Sequence, residues 1–218
     1  MNKTDLKLYA ITDRQWLHGA RLSEHVKLAI EGGATMIQIR DKDILSTDSD
    51  AGLKDEYNEA LEIKRICHEH KVPLIINDNV QFAIDIDADG VHLGQDDMNP
   101  AEARKLLGAD KIIGVTAKTV EQAKAAEAGG ADYLGVGAVF PTSSKSDVGE
   151  MSYETLKAIC KAVSIPVVAI GGISGENVGK LAGSGICGVA VISAIYAAKD
   201  VKAAAADLKT TVKEMLRA

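Results

Sequence analysis

Eight short apolar runs recur along the chain at a spacing of roughly 20 to 35 residues, and this recurrence restricts the fold more than any other feature. They are Leu6–Thr12, Met36–Arg40, Pro73–Asn77, Gly90–Leu93, Ile112–Thr116, Tyr133–Gly137, Val167–Gly171 and Gly188–Ile192. Several are apolar without alternation, the pattern of strands buried on both faces of a parallel sheet. Between them lie Glu24–Glu31, Asp55–His70, Pro100–Leu107, Val120–Ala128, Ser152–Val163, Asn177–Ala182 and Ala203–Leu216. These carry Ala, Leu, Lys and Glu, with apolar residues three and four apart, the spacing of amphipathic helices. Pro100 opens its segment, a favoured first helical position. Such alternation over 218 residues predicts an α/β chain folded as a closed (β/α)8 TIM barrel, one domain spanning residues 1–218. An open doubly wound sheet is the alternative. A weak repeat (GGATMIQI, DADGVHL, GGADYLGV, GSGICGVAV) precedes four of the strands, and its glycine is expected to end a helix in the left-handed conformation. The least regular stretch, Asp43–Lys54, reads as a polar loop after the second strand.

Charge narrows the partners. The net charge is −6, so the chain exerts no general pull on nucleic acid or anionic membranes, and any phosphate must be held locally. No stretch of about 18 apolar residues is present, so no membrane span is expected. The segment MNKTDLKLYAITD lacks the apolar core of a signal peptide. Cys67, Cys160 and Cys187 are odd in number and widely spaced, which fits neither a disulfide framework nor a zinc site. Reduced thiols in a cytoplasmic protein are expected. A homo-oligomer is compatible with all of this.

In a barrel of this kind the active site lies at the C-terminal ends of the strands. The residues there are Gln38, Arg40, Asp41 and Lys42 after the second strand, Asn77 and Asp78 after the third, and Gln95 to Asp97 after the fourth. Thr116 ends the fifth strand, Thr142 to Lys145 follow the sixth, and Gly172, Ile192 and Ser193 close the last two. Loops after strands seven and eight often form a phosphate cup. Gly172 would let the backbone approach an anion, and Ile192 and Ser193 stand at the start of the final helix, where free N–H groups favour phosphate. Arg40, Lys42 and Lys145 together suit a more highly charged group such as a diphosphate. Asp78 and Asp97 either share one Mg²⁺ with phosphate oxygens or cap the helices that follow them.

Absent motifs restrict the chemistry further. There is no nucleophile elbow, no HExxH, no Walker A loop and no dinucleotide fingerprint. Of five histidines only His92 falls on a predicted strand, where it reads as a structural or supporting group. A metal-assisted loss of pyrophosphate needs charge stabilisation and placement rather than an enzyme nucleophile.

YAITD (9–13), IQIRDK (37–42), INDN (76–79), DGVHLGQDDM (89–98), GVTAKT (114–119), GAVFPTSSK (137–145), AIGGI (169–173) and VAVISAI (189–195) resemble the ordered motif series of the thiamine phosphate synthase family. The resemblance spans nearly the whole chain. It implies a Mg²⁺-dependent transferase that condenses 4-amino-2-methyl-5-hydroxymethylpyrimidine diphosphate with 4-methyl-5-(2-hydroxyethyl)thiazole phosphate, giving thiamine phosphate and pyrophosphate. By resemblance, Gln38, Ile39, Arg40, Asp41, Lys42, Asn77, Thr116 and Lys145 bind the pyrimidine diphosphate. Thr142, Ser143, Ser144, Gly172, Ile192 and Ser193 hold the thiazole phosphate, and Asp78 and Asp97 bind Mg²⁺. Arg40, Thr116 and Lys145 are the implied catalytic groups, in a dissociative reaction. Asp41 stands where the family pattern leads us to expect Glu, Thr116 where we expect Ser, and Ser144 in place of a frequent Thr. Other readings are a thiazole tautomerase-like relative, another phosphate-binding barrel of sugar or amino-acid metabolism, and a non-catalytic ligand-sensing barrel. The tautomerase reading would call for a histidine near the fifth strand, where this chain has Thr116.

Overall fold

The computed structural model describes residues 2–40, 50–142 and 151–218. Eight parallel strands close into a barrel in sequence order: β1 (Leu8–Ile11), β2 (Met36–Ile39), β3 (Leu74–Asn77), β4 (Gly90–Leu93), β5 (Ile112–Ala117), β6 (Tyr133–Gly137), β7 (Val167–Ile170) and β8 (Gly188–Val191). β8 pairs back onto β1, with Tyr9 opposite Ala190. This is the expected TIM barrel, and the open sheet is excluded.

The strands read as continuously apolar because both of their faces are buried. Leu8, Ala10, Ile37, Leu74, Ile76, Val91, Ile113, Leu134 and Val189 point outward and pack under the helices in one large core. Tyr9, Ile11, Met36, Ile75, Ile112, Tyr133, Val168 and Ala190 point inward and form a second core inside the barrel. The period of two survives, but it separates two apolar environments rather than oil from water.

Helices α1 (Leu22–Gly32), α2 (Asp50–His70), α3 (Val80–Asp85), α4 (Pro100–Leu107), α5 (Val120–Ala128), α6 (Tyr153–Ala162), α7 (Ser193–Tyr196) and α8 (Val201–Met215) lie among the described residues. Their starts are capped as their sequences invite: Thr119, Ser152 and Asp200 each accept a hydrogen bond from a backbone N–H in the first turn of α5, α6 and α8. Three expectations change. The loop placed at residues 43–54 is already helical from Asp50. The helix expected over Asn177–Ala182 is a single 3-10 turn at Val178–Leu181, because Gly179 is a poor helix former and the Asn177 side chain is committed to Ser174 N and Gly172 O. The final helix is α8, and Ile192 and Ser193 instead begin the separate four-residue α7.

The weak repeat marks a clamp. The residue before each even-numbered strand reaches back to the start of the strand before it. Thr35 Oγ1 accepts from Leu8 N at 2.9 Å, Asp89 Oδ2 from Leu74 N at 2.8 Å, and Asp132 Oδ2 from Ile113 N at 2.7 Å. Cys187 Sγ–H donates to Val167 O at 3.3 Å. The Thr35, Asp89 and Asp132 clamps each satisfy a backbone N–H at the start of a strand, whereas Val167 O also accepts from Cys187 N at 2.9 Å. In the first repeat Gly33 takes the expected left-handed φ of 113°, whereas in DADG the left-handed residue is Asp87 at 52°, not the glycine.

Asp132 also accepts from Arg104 Nη2 at 2.7 Å, which ties α4 to the strand ends. Replacing it, Asp132→Ala, strands the Ile113 N–H and loosens Arg104. This substitution should destabilise the fold by about 1–2 kcal/mol, read as a lower urea midpoint with unchanged slope. The three cysteines are free. Burial pushes the Cys67 thiol up to about 12 and those of Cys160 and Cys187 up to about 11. Because the thiolate is the nucleophile, native protein at pH 7.5 should react with iodoacetamide far more slowly than urea-unfolded protein. Equal rates would contradict that burial.

Candidate active site

The strands' C-terminal ends open into a cavity of about 380 Å³. Of the residues expected from the sequence, Gln38, Arg40, Asn77, Asp78, Thr116, Thr142, Gly172, Ile192 and Ser193 line it. Asp41, Lys42, Ser143, Ser144 and Lys145 lie outside the described residues. The Ile39 side chain points away, into the core under the helices, because it alternates with Gln38 on β2. Any role for it in binding must come from its backbone.

Local turns put the polar groups at the mouth. Asp78 adopts a left-handed φ of 62° directly after β3, with its N–H on His92 O, so the chain turns sharply out of the sheet. Asn77 Nδ2 donates to Asp78 Oδ2 at 2.5 Å, which orients both side chains. Helix capping, the competing reading of the two aspartates, falls instead to Asn79 for α3 and Asn99 for α4. Asp97 turns one oxygen onto Gly94 N at 2.6 Å and does not itself line the cavity, whereas its neighbour Asp96 does.

Arg40 is 7% exposed, and its guanidinium lies 3.7 Å from Asp13, an ion pair longer than a hydrogen bond. Its backbone N–H is fixed on Thr12 Oγ1 at 3.1 Å. A buried guanidinium held this way offers several N–H donors to an incoming anion. Asp13 was not singled out from the sequence, although it ends the first strand's motif and, among the described residues, is the carboxylate paired with Arg40.

On the opposite arc, Gly172 has φ 62°, and a Cβ there would sit 2.3 Å from Pro141 O. The glycine therefore serves the packing of the β7 end against the segment leading to Thr142, as well as any approach by a ligand. Asn177 Nδ2 holds Gly172 O at 2.8 Å.

Beneath the mouth runs a line of side chains that sequence reading missed apart from its ends and His92. Gln38 Nε2 donates to Tyr9 Oη at 2.6 Å, and Tyr9 Oη lies 2.9 Å from Tyr133 Oη. Tyr133 Oη lies 2.9 Å from His92 Nδ1, and His92 Nε2 lies 3.0 Å from Thr116 Oγ1. Burial pushes both phenols above their ordinary range, so they stay protonated. The available signal was that Tyr9, Gln38, His92, Thr116 and Tyr133 all hold inward positions of their strands once a barrel is assumed.

A closed parallel barrel whose mouth gathers a buried arginine, amides, hydroxyls and carboxylates defines a (β/α)8 enzyme acting on anionic small molecules. Residues 8–195 match the family model for thiamine monophosphate synthase. A thiamine-phosphate synthase of Ruminiclostridium cellulolyticum is 47% identical over 207 residues, covering 95% of each chain. One of Clostridium tetani is 48% identical over 204 residues, covering 94% of each. The solved thiamine phosphate pyrophosphorylase of Pyrococcus furiosus superimposes with a TM-score of 0.86 at 39% identity, covering 98% of both chains. The chain belongs to the thiamine monophosphate synthase family, and its activity is the family's, thiamine phosphate synthesis, a transferase reaction.

Gly172→Ala should lower the melting temperature and raise the KM for the thiazole phosphate, because a methyl group at this φ collides with Pro141 O. Gly175→Ala, where nothing lies within 4 Å of the added carbon, should change stability by under about 0.5 kcal/mol. Equal tolerance at the two sites would remove Gly172 from this role.

Proposed function

We propose that the cavity's two arcs bind the two substrates separately. The arc from β2 to β5, with Gln38, Arg40, Asn77 and Thr116, takes the pyrimidine diphosphate. The arc from β6 to β8, with Thr142, Gly172, Ile192 and Ser193, takes the thiazole phosphate. The observation that carries this reading is the presence of both sets in one cavity, facing each other across the barrel mouth. Asp41, Lys42 and Lys145 complete the diphosphate arc in this proposal, and Ser143 and Ser144 the phosphate arc.

Asp78 and Asp97 suit Mg²⁺ by their chemistry. Each offers hard carboxylate oxygens from adjacent loops, and no group of three metal-binding side chains exists among the described residues. An ion with one or two protein carboxylates, completed by phosphate oxygens and water, is the ordinary Mg²⁺ arrangement. When bound, it would supply positive charge to the departing pyrophosphate.

The rest is the work of this chain's own groups. Arg40 and Thr116, with Lys145, hold the diphosphate oxygens as negative charge builds on them. The carbon–oxygen bond breaks first, and pyrophosphate leaves with the electron pair. The pyrimidine methylene cation left behind is stabilised by the ring's amino group. Backbone N–H groups near Gly172 and Ser193 anchor the thiazole phosphate, so that the ring nitrogen faces the cation and forms the new carbon–nitrogen bond. The walls of Tyr9, Ile11 and Ile170 keep water from competing for the cation. We read the chain as one domain over residues 1–218. Its three free thiols accord with a cytoplasmic location.

Incubation with both substrates and Mg²⁺ should yield thiamine phosphate and pyrophosphate, and EDTA should abolish both. Asp78→Asn tolerates the left-handed backbone while losing charge, so it should lose activity with little change in melting temperature. Asp97→Ala should lose activity and some stability, because it also frees Gly94 N. Lys145→Ala should lower kcat about 10²- to 10³-fold. A wild-type kcat for Lys145→Ala would end its leaving-group role. A trifluoromethyl pyrimidine that reacts as fast as the methyl one, with chemistry rate-limiting, would end the dissociative mechanism.

A further inference from the structure

The five-residue line under the mouth has a direction. Gln38 Nε2 donates to Tyr9 Oη, and the single Tyr9 proton finds its acceptor in Tyr133 Oη, the order in which no proton of the line is stranded. Tyr133 then accepts from Tyr9, and its own proton must go to His92 Nδ1. An imidazole that accepts at Nδ1 carries its proton on Nε2, which faces Thr116 Oγ1. Thr116 Oγ1 is thereby an acceptor from below, and its hydroxyl proton is left for the cavity it lines.

We propose that His92 is a positioning residue whose Nε2–H, set by the one-way chain from Gln38 through Tyr9 and Tyr133, makes Thr116 a dedicated hydrogen-bond donor to the diphosphate. This rests on the reading that Thr116 touches that group.

An electrostatic argument supports the direction, and a packing observation supports the placement of the rings. First, the reverse order is electrostatically wrong for an anion. If Tyr9 donated to Gln38, every proton would point the other way, Thr116 would spend its hydroxyl on His92 Nε2, and only lone pairs would face the diphosphate oxygens. An anionic ligand therefore selects the donor-outward order. Second, the barrel gives up side-chain volume to seat these rings. A Cβ at Gly114 would lie 2.1 Å from Tyr133 Cζ and 2.5 Å from His92 Nδ1, and one at Gly135 would lie 3.0 Å from His92 Cε1. Two inward positions on β5 and β6 are thus empty of side chain where the phenol and imidazole meet. A packed barrel interior would ordinarily fill them with branched residues.

The first test is spectroscopic and uses the wild-type chain. Protein carrying ¹⁵N-histidine, with Mg²⁺ and inorganic pyrophosphate bound, should show His92 as the neutral Nε2–H tautomer. The Nδ1–H tautomer or a doubly protonated ring overturns the proposal. The second test is a double-mutant cycle. Thr116→Ala and His92→Ala should each lower kcat/KM for the pyrimidine diphosphate about tenfold, the effect of one hydrogen bond. The double variant should be no worse than Thr116→Ala alone, and the KM for thiazole phosphate should hold steady. Costs that multiply overturn the coupling. His92→Gln, whose amide N–H reaches toward the Nε2 position, should recover most of the loss. His92→Asn, whose amide falls at the Nδ1 position, should not, and equal recovery by both overturns the proposal. A wild-type kcat/KM for Thr116→Ala would instead sink the placement of the diphosphate at Thr116, while the tautomer would still judge the chain of hydrogen bonds.

Discussion

Closure of the parallel ladder, β8 onto β1, is the constraint on which the rest of this structure depends. A parallel strand cannot leave a face in water here, because helices cover the outside and other strands fill the inside. Seven of the eight strands therefore supply apolar groups in both directions, and β4 turns His92 inward instead. That requirement produces two cores from one sheet, and it drives polar side chains to the strand ends, where the ladder stops and the cavity begins.

Against that background the buried polar line through Tyr9, Tyr133 and His92 stands out. Burying two phenols and an imidazole would be costly if their hydrogen bonds were unmet. Each has a partner, and the partners run from one strand to the next across β1, β2, β4, β5 and β6. A satisfied network of this kind is stiff, since no member can turn without stranding its neighbour. It sits below the residues proposed to bind the diphosphate, so rigidity in the floor passes to the mouth.

Much of this was legible in the sequence. The strand runs fell on all eight strands to within two residues at either end, because a run that is apolar on both sides has few alternative structures. Short elements were not legible. The six residues of α3 and the four of α7 are too few to show a 3.6-residue period, and tertiary packing holds them, α3 against β3 and β4 and α7 against α8. The repeat before the even strands was visible, yet its purpose was not. The hydrogen bonds to Thr35, Asp89 and Asp132 join residues 15 to 27 apart in sequence, so they exist only once the neighbouring strands have paired.

The candidate site divides in the same way. Arg40, Asn77, Asp78, Thr116, Gly172 and Ser193 could be read from sequence because each lies at or just after the end of a strand, and strand ends converge in any closed barrel. Sequence order alone could not say that Ile39 faces outward, that Asp97 turns back onto Gly94 while Asp96 faces the cavity, or that Asp13 lies beside Arg40. These depend on side-chain direction and on distances across the barrel. The sequence by itself determined the alternation of strands and helices, and through it the fold and the rim that carries the chemistry, since hydrophobic periodicity is local. Only the tertiary structure decided which inward residues meet, and so joined Tyr9 to Tyr133 across 124 positions of chain. A hydrogen bond acts over about 3 Å of space whatever the separation along the backbone.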